Sequence, residues 1–486
     1  MAYHHGVYNS EQDTSLTTPI QGSAGLQVIF GVAPIHLSKN PQKAANTPML
    51  CYSFKECQEA VGYSDDFKKF SLCQSIDACF RVFNVAPIIL VNVLDPTKST
   101  HTTINAAEDC AVLDGMISYN KEYVMLDTLE VKNNSTLLAA GSDYTAAHAE
   151  DGTVVITLLS KAAKEAATLS VSSTSIKPDG VTYTDIVGGV DAATGKETGL
   201  ELVRQIYPKL GMTPGILLAP GWSENAVVCA ALQAKTEAIN GCFDCCAYVD
   251  ISSGSSGATV YTEVKGAKET MGASGAHTAA FWPKAAIGDK VYCMSAMAAA
   301  LTAYNDAGNA DVPYESPSNK DLRITGTVLE DGTEVLLDQQ QASDVLNANG
   351  VITAINANGF KLWGNNTAAY PSTTDPKDRW LAVRRFFDWD GNNFIRTYMQ
   401  KVDKPGNKRL IQSIVDSQNI IGNGYVARDY CAGYRVEFRS DENPVTNLLN
   451  GHLTVHTFLA PYIPAEYIEN IREYDVDAIQ AAFGGN

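Results

Sequence analysis

Continuous apolar runs and helical spacings alternate near the start of the chain. Residues 26–34 and 85–94 are almost uninterrupted apolar runs, a pattern typical of strands that are buried on both faces. Between them, residues 67–82 place apolar side chains three and four positions apart, which predicts an amphipathic helix. A strand, a helix and a second strand together predict the start of an α/β layer.

The middle of the chain repeats this alternation after an interruption. Residues 119–195 are rich in β-branched residues and turn pairs, which predicts a small β-rich domain. Helix and strand patterns then resume, so the β-rich segment is predicted to be inserted into an α/β domain. The resumed patterns are helices at residues 198–210 and 225–239 and strands at residues 215–219 and 247–251.

The last part of the chain mixes helices and strands. A long helical pattern at residues 377–402 is followed by a second helix at 410–421, and then by two strands joined through residues 443–450. The two ends of the chain are polar or acidic and carry too few periodic apolar positions to hold a packed helix, so both are expected to be extended arms.

These patterns predict an α/β and α+β multidomain protein. The predicted parts are an N-terminal extended arm at residues 1–20, an α/β core at 21–118 and 196–372, an inserted β-rich domain at 119–195, a C-terminal mixed α+β domain at 373–470, and a C-terminal extended arm at 471–486.

Composition narrows the function classes. With 45% hydrophobic and 19% charged residues, the 486-residue chain has the composition of a folded protein. Its net charge of −18 argues against general nucleic-acid binding, which needs surplus Lys and Arg. The longest strongly apolar stretch has nine residues, too few to span a bilayer. Eleven cysteines without a visible secretory signal predict reduced thiols in a cytoplasm.

Motifs that could carry chemistry depart from the patterns that the chemistry needs. Residues 189–196 resemble a phosphate-binding loop, but five residues separate the glycines and Glu197 follows Lys196. Cys242, Cys245 and Cys246 include a C-x-x-C spacing, yet they follow a helix and lack a second ligand pair for zinc. We therefore predict no enzyme activity, cofactor or metal, and keep a thiol- or metal-dependent enzyme as an alternative.

One local charge imbalance stands out. Residues 377–412 contain nine basic and four acidic residues, a balance of +5 in an acidic chain. The excess predicts either a solvated helix face or a surface that docks on an acidic partner. The candidate docking residues are Arg384, Arg385, Arg396 and Lys401, with Asn443 and Asn447 of the 443–450 segment as a second candidate.

Short motifs distributed along the chain form a recognisable series. They are His4-His5-Gly6-Val7, PGILLAPG at 214–221, DVPYESPSN at 311–319 and NGFKLWGNNT at 358–367. In order and spacing these motifs resemble those of the sheath proteins of contractile phage tails, and most closely those of P2-like myophages. The motif at residues 358–367 carries Asn366 where the family usually has Arg.

The resemblance implies a structural subunit that polymerises into a helical sheath, with six subunits per ring, around an inner tail tube. Contraction of such a sheath drives the tube through the target cell envelope. The implied partners are further copies of the chain, the tube protein, and baseplate and tail terminator proteins, with no nucleic acid and no membrane insertion. The implied location is a virion tail or a headless bacteriocin (tailocin) particle assembled in the bacterial cytoplasm. A tube or baseplate component of the same kind of particle is the structural alternative.

The extended ends fit such an assembly on physical grounds. A free strand can complete a neighbour's sheet through backbone hydrogen bonds. The candidate arm residues are Val7 and Tyr8 at the N-terminus and Tyr474, Val476 and Ile479 at the C-terminus.

Overall fold

The computed structural model describes residues 24–484, so the predicted N-terminal arm, with Val7 and Tyr8, lies outside the described residues. The strands, in chain order, are β1 (Gln27–Gly31), β2 (Met49–Cys51), β3 (Ile88–Asn92), β4 (Thr102–Ala111), β5 (Met116–Tyr119), β6 (Glu130–Asn133), β7 (Thr136–Leu137), β8 (Tyr144–His148), β9 (Val154–Leu158), β10 (Thr168–Ile176), β11 (Gly189–Val190), β12 (Glu197–Thr198), β13 (Ile216–Leu218), β14 (Cys246–Asp250), β15 (Thr278–Phe281), β16 (Lys284–Ile287), β17 (Lys290–Tyr292), β18 (Gly326–Val328), β19 (Val351–Asn356), β20 (Phe360–Trp363), β21 (Cys431–Glu437) and β22 (His456–Pro461).

Helices surround these strands, and the mixed α/β multidomain class predicted from the sequence is confirmed. The α-helices are α1 (Phe54–Val61), α2 (Leu72–Asp77), α3 (Lys161–Lys164), α4 (Tyr183–Val187), α5 (Ile206–Leu210), α6 (Ala226–Ala234), α7 (Val264–Met271), α8 (Met294–Gly308), α9 (Pro376–Arg379), α10 (Leu381–Tyr398), α11 (Lys408–Ala427), α12 (Val445–Leu449) and α13 (Val476–Ala482).

An eight-stranded sheet forms the centre of the molecule, in the order β2-β3-β1-β13-β14-β15-β19-β20. The six inner strands run parallel, and β2 and β20 pair antiparallel at the two edges. Every residue of β1, β3 and β14 is buried, as expected for parallel strands covered by helices on both faces. The apolar runs that predicted these strands therefore reflect two-sided burial.

Helix α8 is buried along most of its length, which explains its run of alanines. Eleven of its fifteen residues are buried, and small side chains let a helix lie close to its neighbours. Asp306, near its C-terminal end, is completely buried. Because a buried carboxylate needs a partner, this residue anticipates the ion pair described below.

The β-rich unit has its own core. Two small sheets, β4-β10-β6-β7 and β5-β9-β8, enclose an apolar cluster that includes Tyr119, Val131, Ile156 and Val171. The first of these strands begins at Thr102, and Ile186 packs into the main core instead. The predicted boundaries at 119 and 195 therefore differ from the ends of the sheets, because β4 is mostly exposed and shows no apolar alternation.

The C-terminal region consists of α10 and α11 against the two-stranded sheet β21–β22. Its core contains Phe386, Trp389, Tyr425 and Tyr434. The single helix predicted at residues 377–402 is interrupted at Trp380, whose backbone is extended and bridges to Asn366. This bridge is a tertiary contact, which helical periodicity cannot reveal.

None of the helices in residues 24–484 is both long enough and apolar enough to cross a membrane.

Candidate functional site: surfaces for assembly

Arg385, a predicted docking residue, lies inside the molecule. Its side chain is 3% exposed and forms a two-pronged ion pair with Asp306 of α8, with Nη1 at 3.3 Å from Oδ1. Its Nη2 also donates to the carbonyl oxygen of Ala24 at 3.1 Å. The prediction that Arg385 faces a partner is therefore corrected: this residue ties α10 to α8 and to the beginning of the described chain.

Arg384 is also engaged within the chain. It contacts Asp388 through Nε at 3.0 Å and Asp378 through Nη1 at 3.2 Å, and its side chain is 11% exposed. Arg396 is half-buried, reaches only a long 3.5 Å contact with the carbonyl oxygen of Gly211, and burial lowers its pKa. The charge count treats all of these side chains as available to a partner. In the structure, burial and ion pairs with internal carboxylates make Arg384 and Arg385 unavailable.

Residues 377–412, which carry the basic charge excess, form a basic island. Its exposed part is the segment around residues 401–409. Lys404, Lys408 and Arg409 are exposed, and Lys401 is partly exposed. Of these, Lys401, Lys404 and Lys408 border a groove that is also lined by apolar side chains of α11 and by Leu448 and Leu453. On the adjoining helix α12, Val445 and Leu449 are 70% and 81% exposed. Exposed basic and apolar side chains are thus combined at one end of the C-terminal region.

The two asparagines predicted as docking residues differ in exposure. Asn443 is buried, and its amide donates 2.8 Å hydrogen bonds to the carbonyl oxygens of Arg439 and Thr454. Asn447 is only partly exposed. Asn443 therefore fixes the loop that carries α12, which makes it unsuited to direct contact with a partner.

A buried polar cluster attaches the β21–β22 hairpin to the helices. The hydroxyl of Tyr434 lies 3.1 Å from Oδ2 of Asp390 on α10, and Gln418 of α11 donates to the same hydroxyl at 2.5 Å. Burial raises the pKa of Asp390 to about 7. The carboxyl group is therefore protonated over most of the acidic range, which reduces the cost of burying it.

The two edges of the hairpin differ in availability. Both backbone groups of Val436 on β21 are hydrogen-bonded at 2.9 Å by the side chain of Asn419. The N–H and C=O of Val436 therefore point away from β22. In an antiparallel pair the residue opposite such a position also points its backbone groups away from its partner, so the N–H and C=O of Thr457 point to the outer edge of β22. The outer edge of β21 is thus partly occupied by α11, whereas no third strand pairs with β22 in the described chain.

The C-terminal segment, residues 462–484, exposes an unusual amount of apolar surface. It contains nine of the thirty large apolar residues that are exposed in the described chain. The backbone of residues 463–474 makes no backbone hydrogen bond to any other described residue, although the side chain of Glu466 contacts that of Arg379 at 3.3 Å. The nine residues are Tyr462, Ile463, Tyr467, Ile468, Ile471, Tyr474, Val476, Ile479 and Phe483.

The end of this segment is helical, which corrects the prediction of a fully extended arm. Helix α13 begins after Asp475, whose Oδ1 accepts a 2.9 Å hydrogen bond from the N–H of Ala478. A capping aspartate of this kind stabilises a helix start. Val476 and Ile479 therefore belong to a helix and cannot pair as a strand, whereas Tyr474 remains in the extended part.

The cysteine run at residues 242–246 is mostly inaccessible. Cys245 and Cys246 are buried, and burial raises the pKa of both thiols. Such thiols are poor nucleophiles because the reactive thiolate form is suppressed. Among the described residues, one group of three potential metal ligands is present, formed by Cys246, His277 and Asp388. Sequence spacing missed it because the three residues lie on separate elements.

Comparison with known proteins adds full-length similarity. The chain is 27% identical to the tail sheath protein of Burkholderia phage BcepMu over 501 aligned positions, covering 100% of this chain and 99% of that protein. It is 28% identical to the tail sheath protein of Escherichia phage P2, with 59% of this chain and 69% of that protein covered. No protein-family model matches the chain.

Solved structures share the fold at lower identity. A sheath complex of the extracellular contractile injection system PVC in its contracted state aligns with a TM-score of 0.57 at 14% identity, covering 98% of this chain and 99% of the other. A chain of the anti-feeding prophage baseplate aligns with a TM-score of 0.58 at 12% identity, covering 98% and 100%. The chain is therefore similar to contractile tail sheath proteins in sequence over its whole length, and it shares the fold of the solved sheath structures.

Proposed function

We propose that this chain is the structural subunit of a contractile tail sheath and has no catalytic role. In this proposal, copies of the chain polymerise into a helical sheath, six to a ring, around an inner tail tube, and contraction drives the tube through the target envelope. The observation that carries the proposal is the exposed apolar segment 462–484. A folded chain seldom leaves so many large apolar side chains in water unless a partner covers them.

Strand addition is the proposed link between subunits. The extended residues 462–474 of one copy add to a neighbour's β21–β22 hairpin. The outer edge of β22 is the favoured acceptor, because Asn419 already occupies the backbone of Val436 at the other edge. Helix α13 then lies beyond the added strand, where its apolar side chains pack against the neighbour.

Repetition makes a weak link strong. About four to six added hydrogen bonds, each contributing roughly 0.5–1.5 kcal/mol net, stabilise one link by only a few kcal/mol. Each copy donates one segment and accepts another, so the interface is heterologous and builds a helical lattice. Extended links also act as hinges, so the packed bodies of neighbouring subunits can slide between two arrangements while the links stay intact.

The proposed contact with the inner tube is the exposed surface formed by residues 401–409 and α12. Lys404, Lys408 and Arg409 supply positive charge, and Val445 and Leu449 supply apolar area. A tube surface with acidic groups and small apolar depressions would be complementary to it. Arg384 and Arg385 are excluded from this contact by their internal ion pairs.

Deletion of residues 462–486 tests the assembly proposal. We expect the truncated chain to keep the unfolding profile of the full chain and to remain monomeric, whereas the full chain polymerises into hollow tubes seen by negative-stain microscopy. Tubes formed by the truncated chain would contradict the proposed link. Compact closed rings from the full chain, without tubes at any concentration, would favour a baseplate component instead.

A single substitution tests the acceptor edge. Thr457→Pro removes one outward N–H of β22 and leaves the hydrogen bonds to β21 in place, because Thr457 is opposite Val436 in a pair that does not exchange hydrogen bonds. We expect this variant to fold but to lose tube formation. Thr457→Ala keeps the N–H and is the matched control, which should assemble normally.

Charge reversal tests tube docking separately. The triple variant Lys401→Glu/Lys404→Glu/Lys408→Glu should polymerise by itself but fail to co-assemble on preformed inner tubes. A control triple with reversed lysines in the inserted unit, Lys132→Glu/Lys161→Glu/Lys164→Glu, should keep both properties. Normal co-assembly of the first triple would exclude this surface from tube docking.

A further inference from the structure

Three side chains with metal-ligand chemistry converge where α10 crosses one end of the central sheet. Cys246 opens β14, His277 immediately precedes the neighbouring strand β15, and Asp388 lies on α10. Oδ2 of Asp388 is 3.1 Å from Nδ1 of His277 and 3.5 Å from Sγ of Cys246. All three residues are buried, and their potential ligand atoms lie within 4.8 Å of one another.

The imidazole of His277 is oriented as in many metal sites. Its Nε2 lies 3.3 Å from Oε1 of Glu237, and this nearby carboxylate favours the tautomer that carries the proton on Nε2. The lone pair of a neutral imidazole is then on Nδ1, which faces the carboxylate of Asp388. In that tautomer the lone pairs of Nδ1 and of Oδ2 of Asp388 face each other at 3.1 Å, an arrangement that is stable only with a cation between them or with a second proton on the ring.

The remaining neighbours leave one oxygen of Asp388 for such a cation. Oδ1 accepts from Nε of Arg384 at 3.0 Å, and Arg384 is in turn paired with Asp378. The positive charge of Arg384 is therefore shared between two carboxylates. Oδ2 faces only Cys246 and His277 among the hydrogen-bond partners recorded for the described residues.

We propose that Cys246, His277 and Asp388 bind a borderline-soft divalent cation of the Zn²⁺ type. Thiolate and imidazole ligands favour zinc over magnesium or calcium, which prefer all-oxygen sites. On binding, the thiol of Cys246 releases its proton to solvent and its sulfur donates an electron pair to the ion. The thiolate, the carboxylate and the neutral imidazole then balance the two positive charges of the cation.

A bound ion at this site would cross-link the central sheet to the C-terminal region. Cys246 opens β14, His277 immediately precedes the adjacent strand β15, and Asp388 lies on α10, so one ion joins elements far apart in the sequence. It makes no contact with the segments proposed for assembly, and the proposal stands whether or not the chain forms a sheath. The cysteine run is then divided, with Cys246 as a ligand and Cys242 and Cys245 as ordinary thiols.

Metal analysis of the full-length chain tests the proposal. Chain purified without chelator, loaded with Zn²⁺ and desalted should retain one equivalent, and Co²⁺ in its place should produce the visible and near-ultraviolet absorption of tetrahedral cobalt bound to thiolate. Cys246→Ser and His277→Gln should abolish both signals. Cys242→Ser, which removes a thiol of the same run, should keep them.

A weaker variant keeps the test informative if the ligand variants fail to fold. Glu237 is exposed at the rim, so Glu237→Gln should fold normally yet lower zinc affinity about 10- to 100-fold in a chelator competition, as expected for loss of the carboxylate that orients a histidine ligand. Wild-type chain that retains no zinc and shows no cobalt–thiolate absorption would overturn the proposal. His277 would then be an imidazolium held between Asp388 and Glu237.

Discussion

The central sheet and the C-terminal segment treat large apolar side chains in opposite ways. Strands β1, β3 and β14 bury every residue. Segment 462–484 exposes nine large apolar residues, and the backbone of residues 463–474 makes no backbone hydrogen bond to any other described residue. The sheet is complete within one copy of the chain. In the assembly proposed above, another copy of the chain covers the segment, so the difference would separate what folds the subunit from what assembles it.

Substitutions in the exposed C-terminal segment should have the largest effect on assembly. The triple variant Tyr467→Ser/Ile468→Ser/Ile471→Ser should abolish assembly in sedimentation and negative-stain experiments. The unfolding free energy should change by less than about 0.5 kcal/mol, because none of the three side chains is buried in the single chain.

A matched variant controls for the loss of exposed apolar area itself. Ile104→Ser/Leu113→Ser removes two large side chains that are 83% and 72% exposed on the inserted unit. This variant should assemble normally. Equal defects in both variants would mean that the location of the apolar surface is unimportant, and the comparison would fail.

Among the buried contacts, loss of the ion pair between Arg385 and Asp306 should lower the stability of the chain most. Arg385→Met leaves Asp306 as an unpaired buried charge, which should lower the unfolding free energy in denaturant titrations by about 3–5 kcal/mol. The double variant Arg385→Met/Asp306→Leu should recover much of this loss. Lys161→Ala, which breaks a pair with side chains 86% and 66% exposed, should cost no more than about 1 kcal/mol.

The carboxyl group of Asp390 should make stability depend on pH. Burial raises its folded pKa from 3.8 to about 7, so the folded chain binds this proton more tightly than the unfolded chain. Its contribution to stability is therefore full below about pH 4, falls as pH rises towards 7 by at most about 1.4 kcal/mol per pH unit, and is constant above. Asp390→Asn should remove this part of the slope in denaturant titrations across pH 4–8. An unchanged slope would place the proton elsewhere.

Two glycines of α11 should respond in opposite directions. A Cβ at Gly422 would lie 2.0 Å from the ring of Tyr434, so Gly422→Ala should destabilise the chain by about 1–3 kcal/mol through overpacking. At Gly424 the nearest atom is Nη2 of Arg428 at 3.8 Å, and Gly424→Ala should stabilise the helix by up to about 1 kcal/mol. Thermal unfolding measures both, and equal shifts would contradict the packing of β21 on α11.

Sequence patterns located the elements whose burial is uniform. The apolar runs at residues 26–34 and 85–94 contain β1 and β3, because a strand covered on both faces must be apolar throughout. Strand β4 was missed, since its sequence TTINAAEDCA is largely exposed and is held by pairing with β10. Its position depends on a partner more than fifty residues away, which local periodicity does not report.

The candidate site was predicted less completely than the fold. The arm-like composition of the C-terminus agreed with an exposed segment, but the helix α13 at its end was not predicted. Residues 377–412 carry a basic charge excess in the sequence, but Arg384 and Arg385 are internal because their carboxylate partners lie on α8, α9 and α10. Charge counts along a chain contain no information on which carboxylates will fold against them.

The sequence by itself determined the alternation of buried strands and helices, the sheath-like motifs and the polar or acidic composition of the two ends. Each of these features depends only on residues that are close together in the chain. The tertiary structure alone decided which charges are buried, which hairpin edge is free, and that Cys246, His277 and Asp388 meet. These properties depend on distances between residues that are far apart in the chain, and such distances exist only after the chain has folded.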